Sequence, residues 1–531
     1  MRVLIEDGWA DGFLDETVLP SAYRIAPSQW IRLGPVEDLY FVREASLRTL
    51  ATYTREFGAT ATARKVMSRH AERHRNSRYL CAGVGRILSG QHAGGFPDGT
   101  PVAFVAPRHP ACMERVVLHR YLVRPWAGPI DVNDLNQWIQ YCQLTNDTPP
   151  DAARELAGWS PFAGDTPPAG AVDALIAWFT GWIAQGEPCQ RLMVGTPIVE
   201  HTEALPTESP KSRPTAVLFG YGNYAKTQVL PHARRYLDVV RVHEIDPLQI
   251  GTLAAGEQTP SAHSWDTSPV PRQGADRSTH DVDLIAGFHH THAPLAIAAM
   301  TAGRVVVVEK PLATTEAEAT ALVDAVTAGG RLFACFQRRY AQFNQWLRQD
   351  LDLGAGRPMT YVTVVYEERL PTRHWYRWQA SRSRVISNGC HWIDHFLSLN
   401  NFAKVRTVQA HCARIDLVQL YVELENDSVF SMTLTSEGGS RHGLREYTEV
   451  RTDNRVVRIV DGRKYSCEDN SRTIQRRSVN RLHSYRAMYQ QIFQSVVAGE
   501  PGECPDQLAA TLDLTLALDR AAHGTQGGVQ R

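Results

Sequence analysis

The chain has 531 residues, 43% of them hydrophobic and 21% charged, as in an ordinary globular protein of about three domains. The 56 basic residues balance 56 acidic ones, so no overall charge favours nucleic acid or an anionic membrane as a partner. The nine cysteines include no C-x-x-C pair, the acidic N-terminus differs from a signal peptide, and no apolar run is long enough to cross a membrane. We therefore expect a cytoplasmic protein with reduced thiols and without a thiolate zinc site.

The first 205 residues carry the fewest functional signals. Pro- and Gly-rich segments at 146–170 and 203–214 predict linkers, and the apolar stretch 171–185 predicts a packed helix. The stretch 80–125 resembles the GroES-like half of medium-chain alcohol dehydrogenases in its GTPV and CMERVVLH sequences. That family's zinc-binding motif is missing, so the resemblance implies a mostly β domain that is not an independent catalyst.

A glycine-rich turn follows the second linker. Residues 215–230 read TAVLFGYGNYAKTQVL, which is a short apolar strand, the spacing G-x-G-x-x-A and then a helix. The first glycine of this pattern allows a tight turn, the second lets backbone N–H groups approach a pyrophosphate, and the small third residue lets helix and strand pack closely. The residues predicted to bind a dinucleotide here are Gly220, Gly222, Asn223, Tyr224 and Ala225.

The next apolar strand ends at Glu244. A carboxylate at this position accepts hydrogen bonds from the ribose hydroxyls of NAD and would repel the 2′-phosphate of NADP. The pattern therefore favours NAD over NADP. A tight structural turn without a ligand is the alternative.

Residues 280–330 predict two further strand–helix units, which extend a parallel sheet. Pro294 suits the first turn of one helix, and Thr315 with Glu318 forms a capping box at the start of the next. Lys310, one of only six lysines, then follows a buried strand at its carboxyl end. Ligands bind at this edge of open α/β sheets, although a surface lysine before a helix is the alternative.

Glu309, Lys310 and Pro311 match the EKP motif of the Gfo/Idh/MocA oxidoreductases, the family of glucose–fructose oxidoreductase and inositol dehydrogenase. The helix and strand before the motif are also similar to theirs, and the resemblance extends over about 215–520. It implies that Glu309 and Lys310 lie beside the nicotinamide, where the lysine ammonium hydrogen-bonds the substrate oxygen.

The segment RVISNGCHWIDHFLSL resembles the D-x-G-x-H-x-x-D segment of the same family. The match implies that His391 exchanges a proton with the substrate and that Asp394 is catalytic or orients its neighbours. Ser387 stands where most members carry an aspartate, which puts the usual Lys–Asp–His triad in doubt. Asn388 and His395 are the nearby polar candidates for binding substrate.

Lesser matches add candidates around these motifs. CFQRRY resembles the family's strand after the EKP helix and implies that Gln337 lies near the cofactor and Arg338 near the substrate. In GFHHTH, His289 and His292 are expected to border the cofactor, and the absence of an acidic companion argues against a metal site. Trp375 is expected to line the substrate pocket.

From about residue 358 onward, long alternating runs predict a largely antiparallel sheet, and helical spacing returns near the C-terminus. The region 441–486 holds 12 Arg or Lys residues against 6 Asp or Glu. We expect a solvated sheet face or a subunit contact, with an anionic substrate group as the alternative. A homo-oligomer formed through this sheet is predicted.

The sequence thus predicts an α/β protein with a GroES-like domain over 1–205, a Rossmann domain over 206–335 and an α+β domain with a largely antiparallel open sheet over 336–531. The resemblance implies an NAD(P)-dependent oxidoreductase that transfers hydride between nicotinamide and a secondary alcohol or ketone of a sugar, amino sugar, cyclitol or related biosynthetic intermediate. The alternatives are an imine reductase of natural-product biosynthesis, a redox-neutral epimerase or glycosidase that uses NAD, and a non-catalytic NAD-binding protein.

Overall fold

A computed structural model gives the fold, which is organised around three large sheets. The structure describes residues 2–5, 8–11, 22–33, 51, 54, 59, 62–63, 80–90, 95–106, 116–128, 138–143, 150–157, 168–184, 190–193, 213–222, 224–244, 262–265, 280–354, 357–368, 376, 381–414, 417–438 and 444–523. No helix in these ranges has both the length and the apolar character needed to cross a membrane.

The described part of the N-terminal region is mostly β. A hairpin of β1 (Arg2–Ile5) and β2 (Gly8–Asp11) precedes a seven-stranded sheet in the order β7-β5-β4-β3-β8-β9, with β6 paired to β3. The strands of this sheet are β3 Ala22–Leu33, β4 Leu80–Gly90, β5 Pro101–Ala106, β6 Val116–His119, β7 Val123–Pro125, β8 Trp138–Gln143 and β9 Gln190–Met193. Two helices follow in the chain, α1 (Pro150–Ala157) and α2 (Ala169–Ala184). Phe179 of α2 packs on Ala82, Val84 and Ala103, so this helix is a packed one, as its sequence predicts.

The second sheet is parallel throughout, in the order β12-β11-β10-β13-β14-β15. Its strands are β10 Thr215–Phe219, β11 Asp238–Glu244, β12 Ala262–Trp265, β13 Val282–Ile285, β14 Val305–Val308 and β15 Leu332–Ala334. The chain leaves β10 towards one edge and returns to β13 on its other side, so the order reverses between these two strands. The crevice at the carboxyl ends of β10 and β13 is where a doubly wound sheet binds its ligand.

Helices cover both faces of this parallel sheet, which explains why β14 is four buried valines. A π turn (Ala225–Val229) runs into α3 (Leu230–Ala233), and α4 (His292–Thr301) and α5 (Glu316–Thr327) follow β13 and β14. The expected capping box begins α5, where the Thr315 hydroxyl accepts the Glu318 N–H and the Glu318 carboxylate accepts the Thr315 N–H. The predicted Rossmann-type architecture is confirmed.

The third sheet has eight strands in the order β17-β18-β19-β16-β20-β21-β22-β23, and every pair is antiparallel except β16 with β19. Its strands are β16 Thr360–Glu368, β17 Val405–Arg414, β18 Leu417–Leu424, β19 Val429–Gly438, β20 Arg445–Thr452, β21 Arg455–Val460, β22 Lys464–Glu468 and β23 Thr473–Ser478. The predicted mostly antiparallel sheet is therefore confirmed. Several arginines of the basic stretch pair with carboxylates of this sheet, including Arg445 with Asp461 at 2.7 Å and Arg458 with Glu468 at 2.5 Å.

The remaining α-helices pack on the second or third sheet, and α7 and α9 contribute to the cores of both. They are α6 Phe343–Asp350, α7 Cys390–Leu399 with a preceding π turn Val385–Gly389, α8 His483–Ala498 and α9 Pro505–His523. Trp392 and Phe396 of α7 belong to the core against the third sheet, whereas Ile386 and Cys390 belong to a core of the parallel sheet. The start of α7 is therefore held where the two sheets meet.

Candidate active site

The glycine-rich turn lies at the carboxyl end of β10. Gly220 has a φ of +91°, and a Cβ atom on it would lie 2.6 Å from the backbone of Gly287, so no larger residue fits there. A Cβ atom on Gly222 would have no neighbour within 4 Å among the described residues, so nothing in that part of the chain crowds this side of the backbone. The turn has the tight bend and the open backbone that a dinucleotide pyrophosphate needs, so the residues fit this cofactor.

The other predicted dinucleotide-binding residues lie around this turn. Ala225 is buried under it, and the Tyr224 hydroxyl lies 3.1 Å from that of Tyr489 in α8. Glu244 is the last residue of the adjacent strand, β11, and its side chain lies outside the described residues. Asn223 also lies outside them.

Lys310 lies just beyond β14, and its peptide bond to Pro311 is cis. Its Nζ atom donates to the Ser387 carbonyl at 3.1 Å and to Asn388 Oδ1 at 3.4 Å. An ammonium group has three hydrogens, and no described residue accepts the third. The lysine therefore bridges the parallel sheet and the start of α7 with one N–H group left for a ligand.

Several ionisable groups act on this ammonium. Burial lowers the pKa of Lys310, but Tyr376, Cys390, Tyr485 and Glu309 act in the opposite direction, and the net effect raises the pKa. Lys310 is thus positively charged at neutral pH.

His391 lies in the first turn of α7 and is buried. Its Nδ1 atom has no hydrogen-bond partner among the described residues. Burial lowers its pKa well below the ordinary value, and the charges of Lys310 and Arg338 lower it further. The imidazole is consequently neutral and can accept a proton from a bound hydroxyl group.

Asp394 lies further along α7 and is fully buried in an ion pair. Both of its carboxylate oxygens accept from Arg339 Nε, at 3.0 and 2.9 Å, and one also accepts from the Thr511 hydroxyl at 3.2 Å. Arg339 in turn pairs with Glu503 at 2.7 Å. Burial raises the pKa of Asp394 although Arg339 opposes the shift. These contacts tie α7 to the segment after β15 and to α9.

His395 is also enclosed, on the side of α7 that faces the third sheet. Its two ring nitrogens lie 3.0 Å from the Tyr361 hydroxyl and 2.8 Å from Asn344 Oδ1. Burial lowers its pKa to about 3, so the ring is neutral. Both nitrogens are already hydrogen-bonded within the protein.

The histidines after β13 support the end of β14. His292 is buried, with Nδ1 2.8 Å from the Pro311 carbonyl and Nε2 3.2 Å from the Gly287 carbonyl, and burial lowers its pKa to about 4. It thereby connects the turn after Lys310 to the loop against which Gly220 packs. His289 is buried and lies against the Tyr376 ring, with 4.8 Å between centroids. In the described part of the chain, no group of three or more metal-ligating side chains could hold a metal ion.

The two candidate residues after β15, Gln337 and Arg338, differ in whether their side chains have partners. Gln337 is buried, and its Oε1 atom has no partner among the described residues. The Arg338 guanidinium pairs with Glu446 and lies 4.0 Å from the centre of the Trp392 ring. Trp375 lies outside the described residues.

Sequence reasoning missed one buried carboxylate, Glu367 at the end of β16. Its oxygens accept hydrogen bonds from Arg384 and from Asn388 Nδ2. The alternation of side chains along a strand could have pointed to it. Glu367 continues the series Tyr361, Thr363 and Val365, all of which are buried on the same face of β16. An acidic residue on the buried side of a strand needs partners, and here they include a residue that contacts Lys310.

Comparisons with known proteins agree with this geometry. Residues 215–336 match the model of the Gfo/Idh/MocA family, described as an oxidoreductase family with an NAD-binding Rossmann fold. The inositol 2-dehydrogenase of Acidothermus cellulolyticus is 34% identical over 139 residues, which cover 24% of this chain and 39% of the relative. That of Acidiphilium cryptum is 37% identical over 187 residues, which cover 34% of this chain and 55% of the relative.

The chain therefore spans only part of the curated relatives it matches. A dehydrogenase structure from Chromobacterium violaceum is similar in fold, with a TM-score of 0.50 and 15% identity, and the match covers 60% of this chain and 97% of that structure. Residues 215–336, with their parallel sheet and glycine-rich turn, thus have a Rossmann architecture and match the NAD-binding domain of the Gfo/Idh/MocA oxidoreductases.

Proposed function

We propose that the protein is an NAD(P)-dependent dehydrogenase that interconverts a secondary alcohol and a ketone on a ring polyol such as a cyclitol or sugar. The family match and the two similar inositol 2-dehydrogenases support the reaction type and the substrate class. They cover part of the chain, so the activity of the whole protein rests on the site itself.

The observation that carries the proposal is that Lys310 and His391 lie near each other at the start of α7, where the charge of Lys310 lowers the pKa of His391. Lys310 is a half-buried ammonium group, His391 is a buried, neutral imidazole, and among the described residues one Lys310 N–H group and the His391 Nδ1 atom have no partner. During oxidation, Lys310 would donate a hydrogen bond to the substrate oxygen and His391 would take the hydroxyl proton. The bound nicotinamide would be the hydride acceptor. In the reverse direction, His391 would return the proton.

The cofactor would lie across the carboxyl ends of β10 and β13. Gly220, Gly222, Asn223, Tyr224 and Ala225 would hold the pyrophosphate through the open backbone of the turn. Glu244, at the end of β11, would accept hydrogen bonds from the adenosine ribose, which favours NAD.

The nicotinamide half would lie near the end of β14. His292 holds the Pro311 carbonyl and so fixes the turn that carries Glu309 and Lys310. His289 and the Gln337 Oε1 atom, which has no partner in the described part of the chain, would border the nicotinamide ring.

Asn388, Arg338 and Trp375 are our candidates for the substrate side of the cleft, because Asn388 contacts Lys310 and Arg338 acts on the pKa of His391. Asp394 and His395 are better explained as positioning residues, since both are fully engaged by protein partners. Their role would be to fix the rotation of α7 so that His391 faces the cleft.

The N-terminal region and the third sheet would have supporting roles. We assign residues 1–205 to an appended, non-catalytic domain related to the GroES-like fold, followed by a Rossmann domain to 335 and a substrate domain from 336. The third sheet would form the contact between copies in a homo-oligomer.

The experiment is a dehydrogenase assay with the purified full chain. NAD⁺ or NADP⁺ is incubated with myo-inositol, other cyclitols and pyranose sugars, and the absorbance of the reduced nicotinamide is followed. We expect turnover with at least one of these polyols and a preference for NAD⁺. Cofactor binding without reduction by any member of the panel, and without oxidation of NADH by the matching ketones, would contradict the proposal.

A further inference from the structure

A chain of half-buried and buried polar groups leads from Lys310, after the parallel sheet, to Glu367 in the third sheet. Lys310 Nζ donates to Asn388 Oδ1 at 3.4 Å, Asn388 Nδ2 donates to Glu367, and Arg384 donates to the other oxygen of Glu367. The links come from the end of β14, the π turn before α7 and the end of β16. Both sheets thus contribute to the surroundings of one ammonium group.

The neighbours fix the orientation of the Asn388 amide. An ammonium group can only donate, so the amide oxygen must face Lys310. Asn388 Nδ2 and the guanidinium of Arg384 can also only donate, so the two oxygens of Glu367 act as acceptors, as in an ionised carboxylate. The polar chain therefore has one consistent arrangement, which places a negative charge one amide away from Lys310.

The electrostatics act on Glu367 in both directions. Burial raises the pKa of Glu367 above its ordinary value, whereas Arg384, Lys310 and the hydrogen bond from Asn388 oppose this shift and favour the ionised carboxylate. The influence of Lys310 on this carboxylate must be reciprocal, so the carboxylate also stabilises the charged form of Lys310. A hydrogen bond to the carboxylate further polarises the amide, which makes its oxygen a better acceptor for the ammonium.

We infer that Glu367 is a positioning residue of the proposed dehydrogenase site, which acts through Asn388 to keep Lys310 charged and to direct its remaining N–H group at the substrate oxygen. This inference rests on the proposed function. Glu367 would supply, from a strand, the buried negative charge that Ser387 cannot supply. The Ser387 carbonyl contacts Lys310 at 3.1 Å, and its hydroxyl is buried without a partner among the described residues.

The competing explanation is that Glu367 only ties β16 to Arg384. A matched control exists, because Asp283 is equally buried and pairs with Arg304 at 3.0 Å in the parallel sheet. Asp283→Asn removes a buried carboxylate from an arginine pair without touching Lys310. A purely structural role would give Glu367→Gln and Asp283→Asn the same consequences.

The test compares Glu367→Gln, Glu367→Asp, Asp283→Asn and the double variant Glu367→Gln/Ser387→Asp with the unmodified full chain. For the polyol found by the dehydrogenase assay, we expect Glu367→Gln to lower kcat roughly 10-fold or more, with KM and NADH affinity within a few-fold. Glu367→Asp should retain most of the rate, and Ser387→Asp should restore part of it by returning a carboxylate beside the lysine. Equal loss of kcat in Asp283→Asn, or no rescue by either carboxylate, would overturn the inference.

A second readout needs no substrate. Acylation of Lys310 by a water-soluble anhydride at fixed pH, followed by mass spectrometry, should be faster in Glu367→Gln, because losing the negative charge favours the free amine. An unchanged rate of Lys310 labelling would overturn the inference, whether or not any polyol is oxidised. Absence of dehydrogenase activity alone would instead count against the proposed function. The other ionisable neighbours, unchanged in these variants, are Glu309, Tyr376, Cys390, Tyr485, His289, His292 and His391.

Discussion

The segment 387–395 has buried polar side chains at both ends, but the two ends differ in whether these side chains are hydrogen-bonded. At its start, Ser387 Oγ and His391 Nδ1 are buried without hydrogen-bond partners among the described residues. Further along, both oxygens of Asp394 and both ring nitrogens of His395 have partners within the protein. Buried polar groups are normally satisfied, so the unsatisfied end is the one prepared for a ligand and the satisfied end is the one that fixes the helix.

Of the substitutions that test this difference, we expect the largest effect on kcat at Lys310, which contacts Ser387 at the start of the segment. Lys310→Ala should lower kcat roughly 10³-fold, because it removes a donor aimed at the charge that develops on the substrate oxygen. NADH affinity, measured by fluorescence titration, should stay within a few-fold. Lys404→Ala is the control, since Lys404 is exposed. Undiminished turnover in Lys310→Ala would remove this residue from the mechanism.

His391→Asn should have the next largest effect, a decrease in kcat of roughly 10²-fold, since it removes the proposed acceptor of the hydroxyl proton. The lowered pKa of His391 also predicts a pH profile. The base stays deprotonated below the ordinary histidine pKa of about 6.5, so kcat/KM for oxidation should not fall as the pH passes through that value. A decline centred there would show that His391 titrates normally.

At the satisfied end, Asp394→Asn should chiefly affect stability. Loss of the charge beside Arg339 should lower the free energy of unfolding by about 2 kcal/mol, as measured by urea denaturation. In the folded enzyme, kcat should change only a few-fold. If kcat instead fell as far as in His391→Asn, with stability intact, Asp394 would belong to the chemistry.

The smallest effect is expected for His395→Phe and concerns acid stability. The folded-state pKa of His395 is about 3, well below that of an unfolded chain, so unfolding at mildly acidic pH takes up a proton. This contribution to stability is complete above about pH 6.5 and is lost as the pH falls towards the folded pKa. His395→Phe should therefore show a shallower loss of unfolding free energy between neutral and acidic pH, and an unchanged slope would contradict this.

The sequence predicted the parts of the fold and site that depend on local patterns. Valine runs, a capping box and a glycine-rich turn identified the parallel sheet, and similarity to family motifs made Lys310 and His391 the candidate catalytic residues. The motif did not predict that Asp394 forms an ion pair with Arg339, because contacts between residues far apart in the chain depend on tertiary packing. Glu367 was overlooked for the same reason, since its role depends on contacts with Asn388 and Arg384, which lie 21 and 17 residues away in the chain.

The return of α8 to the parallel sheet has a consequence for how the protein is made. Met488, Tyr489, Ile492 and Phe493 complete a core shared with β10, β11 and β13, and Tyr489 hydrogen-bonds Glu309. During synthesis, the nucleotide-binding half cannot close this core until residues more than 150 positions after β15 have left the ribosome. The half-formed sheet would meanwhile expose apolar surface, so we expect this half to need the rest of the chain, or a chaperone, to reach a folded state.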